Sequence, residues 1–192
     1  LVPVGIGRAR SILAARQAAQ NEQPMGVVMQ RDASVEEPGP DDLHDVGTVA
    51  NVMRFVNGNE GHHHLVLPGE QRFRVIEHLH GYPFPVARVE RIAEEQPVGQ
   101  TVDAHMVALR DKALEALELL PQAPQELAGA LSSIKEPGAL ADTVAGYLDL
   151  ESADRQELLE TLDIETRLER VLTPVSYTNL TLPRTPYLWS HE

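Results

Sequence analysis

The apolar residues of this chain change period near residue 96, and a chain with two periods needs two kinds of packing. Before that point they fall in short runs bounded by turn formers; beyond it they recur at spacings of three and four. The first pattern places alternate residues on one face of a strand, and the second draws a stripe along a helix. Segregated strands and helices point to an α+β fold, with a β region over residues 1–95 and a helical subdomain over 96–172.

In the β region one helix is expected over Arg8–Gln20, where Ile12, Leu13, Ala15 and Ala19 share a side. Met25–Gln30 reads as a short buried strand, Ala33–Asp42 as a loop, and Val46–Val56 as one long β-branched strand. Asn57-Gly58-Asn59-Glu60-Gly61 is a hairpin turn, because Asn and Gly tolerate positive φ. His62–Leu67 returns, Pro68-Gly69 turns the chain into Gln71–Glu77, and Phe84–Ile92 supplies the last strand. Frequent turns between short strands indicate a small barrel or sandwich.

In the helical region Met106, Leu109, Ala113, Leu114 and Leu117 mark a helix over Val102–Leu119. A second helix, Gln125–Ile134, is expected to end at Pro137-Gly138, and a third covers Ala139–Leu148. Ser152 is the expected N-cap of a fourth and Asp163 of a fifth, whose Ile164, Leu168, Val171 and Leu172 share a face. Residues 173–192 lose the helical period, hold three prolines and the single Trp189, and are expected to be a tail foreign to the fold. The Asn179-Leu180-Thr181 sequon within it is read as chance.

Charge and composition exclude some functions. Formal net charge is −13, of which residues 1–95 carry −4 and residues 96–172 carry −9. Phosphate binding needs a basic surplus, so no nucleic-acid partner is expected. No apolar run approaches the length that spans a bilayer, so no membrane partner is expected. The absence of cysteine excludes disulfides and thiolate metal sites and fits a cytoplasmic location. The chain lacks an initiator methionine and is expected to be a fragment.

Three stretches carry a family resemblance. Pro3-Val4-Gly5-Ile6-Gly7-Arg8 with Ser11 is similar to the entry into the first helix of the amino-terminal domain of Lon-type ATP-dependent proteases. Glu37-Pro38 through Asp42-Leu43, then Val46-Gly47-Thr48-Val49-Ala50, resembles that family's loop-to-strand signature, with Gly69, Arg72 and Phe73 following in step. Leu140-Ala141-Asp142, the run Gln156–Asp163 and Arg167-Leu168 resemble its helical subdomain.

The resemblance implies a PUA-like β pseudo-barrel followed by a helical-bundle subdomain. It implies a substrate-recognition and assembly module that binds unfolded, damaged or degron-bearing proteins and other Lon subunits. ATP, Mg and a serine–lysine peptidase would belong to the parent protease, and no cofactor to this fragment. The family's first strand, ahead of Pro3, is expected to be missing, leaving an unpaired edge. The alternative is a free-standing LON-domain binding protein with no protease partner domain.

No catalytic, cofactor-binding or metal residue is assigned from the sequence. His62-His63-His64 would place only His62 and His64 on one strand face, with no carboxylate fixed beside them, and His78 with His80 is weaker. Lys112 and Lys135 follow no Gly-rich loop, and Gly5-Ile6-Gly7 lacks the third glycine of a dinucleotide fingerprint. Ser11, Ser34, Ser132, Ser133, Ser152, Ser176 and Ser190 sit in no nucleophile elbow, and Ser132-Ser133-Ile134-Lys135 is read as a helix end. Glu36-Glu37, Asp41-Asp42 and Glu94-Glu95 read as solvated loop carboxylates rather than acid/base pairs. Arg72-Phe73-Arg74 reads as a strand with its ring inward rather than as an RNA platform. Substrate contacts stay unassigned, with Val52, Met53, Phe55, Val56 and Tyr82-Pro83-Phe84-Pro85 as apolar stretches available to a groove.

Overall fold

The computed structural model describes residues 2–58, 63–119 and 125–176. The chain divides into two compact units, residues 1–93 and residues 94–192.

The first unit contains strands β1 (Val2–Ile6), β2 (Met25–Val27), β3 (Val46–Ala50), β4 (Arg54–Asn57), β5 (His63–Leu67), β6 (Gly69–Leu79) and β7 (Val86–Arg91), with helix α1 (Ala9–Gln20). They form two curled antiparallel sheets, ordered β1-β5-β4 and β2-β3-β6-β7, in a half-barrel arrangement. Ala15 of α1 packs with Ala50, Leu65 and Leu67, and Val4, Ile6, Met25, Val27, Val52 and Phe55 close around them. Helix α1 buries Ala15 and Ala18 and leaves Leu13 about half exposed, so small residues face the sheets.

Two features of this unit differ from the sequence expectation. Residues 2–6, where no strand is expected, form one that pairs with β5, from Val2 opposite Leu67 to Ile6 opposite His63. The long strand expected over Val46–Val56 is two strands in different sheets. Phase explains the division. Ala50, Val52 and Phe55 all pack on one core, yet in an unbroken strand Phe55 would face away from the other two. The break at Asn51–Met53 resets the alternation, and β4 then pairs with β5.

Gly47 is fixed by sterics. It lies opposite Phe73 in the β3–β6 register, and Phe73 is 2% exposed. A Cβ at Gly47 would stand 2.7 Å from Phe73 Cζ and 2.5 Å from the Val27 carbonyl oxygen. The Phe73 ring therefore lies over backbone, and a side chain at position 47 would displace it.

Among the described residues, the second unit is built on the helices α2 (Gln100–Glu118), α3 (Gln125–Ser133), α4 (Pro137–Ala145), α5 (Ser152–Glu160) and α6 (Ile164–Ser176). Its core joins Met106, Leu109, Ala113 and Leu117 of α2 to Leu131, Leu140, Val144, Leu148, Leu168 and Val171. Pro137 opens α4 rather than closing α3, because its missing N–H costs nothing in the first turn. Helix α3 ends at Ser133, where Arg110 donates to the carbonyls of Leu131 and Ile134. Ser152 is the first residue of α5, and Glu151 holds the cap position. Asp163 does cap α6: its Oδ1 accepts the Thr166 backbone N–H at 2.8 Å.

Helix α6 continues past Leu172 to Ser176 with Pro174 inside it, and Val175 is buried in the helical core. The loss of helical period at residue 173 is thus a proline effect, and the apolar step from Val171 to Val175 preserves the stripe. The remainder of the expected tail, with the Asn179 sequon and Trp189, lies outside the described residues.

Candidate functional site

In the first unit a loop and a hairpin end form a groove of about 240 Å³. Pro38, Gly39, Pro40 and Leu43 form one wall. Residues His78 to Tyr82, with Phe84, Pro85 and Val86, form the other, and Arg10 of α1 completes it. Tyr82 is about half exposed and Phe84 half-buried, so aromatic surface stays open to a ligand.

The proline-rich wall is held by specific bonds. Arg8 Nε donates to the Glu36 carbonyl at 2.9 Å and Arg8 Nη2 to the Val35 carbonyl at 3.2 Å. Gln30 Nε2 donates to the Val35 carbonyl at 2.7 Å. Asp32 Oδ1 accepts from the Ser34 hydroxyl and the Ser34 N–H, and these two bonds hold its carboxyl below the usual range. Asp42 Oδ2 accepts the Gly39 N–H at 2.8 Å and fixes the turn around Pro40. Arg8 and the Glu37–Leu43 stretch belong to two different motifs of the sequence, and the structure joins them at this loop.

The lining has one chemical character. Among the described residues, its ionisable side chains are Arg10, His78, His80 and Tyr82, and no carboxylate lines it. In a chain with 29 Asp and Glu against 16 Lys and Arg, that makes the groove a locally non-acidic surface.

The other apolar stretch is divided. Val52 and Phe55 pack on the core of the first unit, while Met53 is 65% exposed. Phe55 lines a shallower hollow of about 350 Å³ with Arg16, Ala19, Gln20 and Asn57. The Arg16 guanidinium sits over the Phe55 ring at 5.6 Å, and the His63 ring lies 5.2 Å from it, tilted by 43°. Phe55 is thus engaged by its own chain, whereas Tyr82 is half exposed.

The remaining sequence candidates are placed as follows. His62 lies outside the described residues, and His63 and His64 are half-buried in β5. The three-donor cluster found among the described residues uses none of these histidines; it joins His105 of α2 to Glu165 and Glu169 of α6. Only the four-residue spacing of the two glutamates was visible in the sequence, because His105 meets them through packing of helices far apart in the chain. Phe73 is buried, Arg72 half-buried and Arg74 exposed, with the Phe ring inward as the alternation predicts. Ser132 and Ser133 donate their hydroxyls to the carbonyls of Ala128 and Ala130 in their own helix. Glu94 is not a solvated loop carboxylate: it pairs with buried Arg167.

Comparison with known proteins is decisive for the family. Residues 1–175 match the family described as the ATP-dependent protease La (LON) substrate-binding domain. This chain belongs to the LON substrate-binding domain family. It is 44% identical over 170 residues to the Lon protease of Phenylobacterium zucineum, covering 88% of this chain and 22% of that protein. It is 45% identical over 177 residues to the Lon protease of Paraburkholderia phytofirmans, covering 92% and 22%. The chain therefore spans about a fifth of the length of these relatives. Its fold is that of the N-terminal domain of the Mycobacterium avium complex Lon protease, with TM-score 0.72, 22% identity, and 91% and 90% of the two chains covered. A Lon N-terminal domain protein from Xanthomonas campestris is similar at TM-score 0.59, with 18% identity, and 90% and 88% covered. Among the described residues of this LON domain, no helix is long and apolar enough to cross a membrane.

Proposed function

We propose that this LON domain is a non-catalytic module that captures unfolded or degron-bearing proteins for a Lon-type protease and contributes to its assembly. ATP hydrolysis and peptide cleavage would reside in the parts of Lon proteases beyond the matched fifth. The capture site in this reading is the groove between Pro38–Leu43 and Tyr82–Val86, which presents aromatic and proline surface with no carboxylate among its described lining residues.

An unfolded segment exposes apolar side chains with no fixed order, and a receptor for it needs apolar contact more than a set of matched hydrogen bonds. Tyr82 and Phe84 supply large rigid contact area, and the prolines add little ordering cost on binding. Arg10, His78 and His80 offer donors to the carbonyls or carboxylates of an extended chain. The observation that carries the reading is the family match over residues 1–175, with this groove as a place in the β unit where Tyr82 and Phe84 stand beside Pro38 and Pro40.

A photo-crosslinking amino acid at position 82 of the whole chain tests it. Incubation with a permanently unfolded labelled protein should give a crosslinked product that the folded form of the same protein does not give. Equal labelling of the unfolded protein from position 82 and from an exposed position outside the groove lining, such as 53, would sink the groove as the capture site.

A further inference from the structure

The helical unit holds a donor cluster that the capture reading does not use. His105 of α2 faces α6, where Glu165 and Glu169 lie one turn apart. One ligand atom from each of the three lies within 4.8 Å of the others. His105 Nε2 stands 3.8 Å from Glu169 Oε1, too far for a hydrogen bond, and its Nδ1 is buried with no hydrogen-bond partner among the described residues. The imidazole therefore faces two carboxylates, with Glu169 at ion-pair distance rather than hydrogen-bond distance.

We propose that His105, Glu165 and Glu169 bind a divalent first-row transition-metal ion, with Zn²⁺ as the defining probe. Like charges four residues apart on a helix repel, and Glu165 and Glu169 do so in the more acidic half of the chain. The N-terminal dipole of α6 eases the charge on Glu165 in its first turn but leaves Glu169 unaided. A cation bound to both removes that repulsion and uses the imidazole as a third ligand. One nitrogen and two carboxylate donors suit zinc or manganese, whereas calcium takes six or more oxygens. Tetrahedral zinc, with bonds of about 2.0–2.2 Å, sets its ligands roughly 3.4 Å apart, so the cluster contracts by up to about 1.4 Å on binding. Glu169 is 57% exposed and free to make that adjustment by rotamer. The fourth position is left to water, and the bound ion ties α2 to α6.

Calorimetric titration of Zn²⁺ into the chelator-stripped whole chain tests the site, with circular dichroism as the check on folding. One ion per chain is expected, with a melting temperature that rises when zinc is added. Glu169→Gln and His105→Gln should each weaken zinc binding by roughly tenfold or more while the zinc-free dichroism stays unchanged. His64→Gln should leave it intact. Unchanged zinc affinity in Glu169→Gln, or a loss seen only in His64→Gln, would overturn the proposal. So would saturation that leaves the melting temperature where it was. Groove crosslinking is indifferent to these variants, so the capture reading and the metal site stand or fall separately.

Discussion

Arg167 Nη1 donates to Glu94 Oε1 at 2.6 Å, and this bond pins the first residue of the helical unit to its last helix. The guanidinium is 1% exposed and also reaches Asp142 at 3.4 Å, the Thr161 carbonyl at 2.8 Å and the Leu162 carbonyl at 3.3 Å. Gly138 makes room for it, because a Cβ there would collide with the Glu94 carboxylate. A buried cation satisfied on every side stabilises little in itself but is costly to break. Arg167→Ala should destabilise the helical unit by about 3–5 kcal/mol in urea denaturation. Glu94→Gln should cost less, about 1 kcal/mol, since that carboxylate is 30% exposed and the amide still accepts. Equal costs for the two would mean the charge pair, not the hydrogen-bond set, dominates.

Position 47 gives a steric prediction. The Phe73 ring and the Val27 carbonyl leave no room for a methyl group at Gly47. Gly47→Ala should destabilise the β unit by about 1–3 kcal/mol. Gly5→Ala, whose added Cβ meets nothing nearer than His64 Nδ1 at 4.0 Å, serves as the comparison for simple loss of glycine in the same unit. Denaturation monitored at the β unit separates the two, and a Gly47→Ala chain as stable as the parent would refute the packing account.

Asp163 gives a pH-dependent prediction. The Thr166 hydroxyl at 2.6 Å lowers its pKa most, followed by the Thr166 backbone N–H, with a smaller contribution from the Arg167 charge. A lowered folded-state pKa means stability present above the unfolded value and lost as pH falls through the folded one. The cap on α6 should therefore hold at neutral pH and weaken only in acid, below the ordinary aspartate range near 3.8. Asp163→Ala should cost about 0.5–2 kcal/mol at pH 7, and Asp163→Asn much less, because asparagine also caps. Thermal melts of the three chains at pH 7 and in acid check this; a difference that persists undiminished in acid contradicts it.

The groove predicts a charge effect on binding. Arg10→Glu would place a carboxylate in a lining that has none among the described residues. Affinity for an acidic unfolded segment should fall and for a basic one rise, both shrinking as salt is added. Fluorescence anisotropy with the two peptides reads it directly. A uniform loss with both would point to damaged folding rather than electrostatics.

Much of the fold was legible because its periods are local. The Met106, Leu109, Ala113 and Leu117 stripe foretold α2, and the β-branched run from Val46 foretold β3. Apart from local boundary shifts at Pro137 and Ser152, the misplaced features depend on packing that the local period does not show. The break at Asn51–Met53 exists because Phe55 must rejoin the core that Ala50 and Val52 share. The reach of α6 to Ser176 exists because Val175 finds a buried place despite Pro174. The candidate groove was half visible: Tyr82–Pro85 stood out by composition, but its opposite wall at Pro38–Leu43 is some forty residues earlier and is brought there by Arg8. His105 and Glu169 could not be paired from the sequence, because only helix packing makes them neighbours.

Pro68 is the single residue between β5 in one sheet and β6 in the other. With no slack there, the registers of the two sheets are geared together. A one-residue slip of β5 would turn Leu65 and Leu67 outward and drag β6 by the same step, expelling Phe73 from beneath Gly47. Neither sheet can misregister alone, so the β unit has one alignment to find rather than two, and an insertion beside Pro68 would let them drift apart.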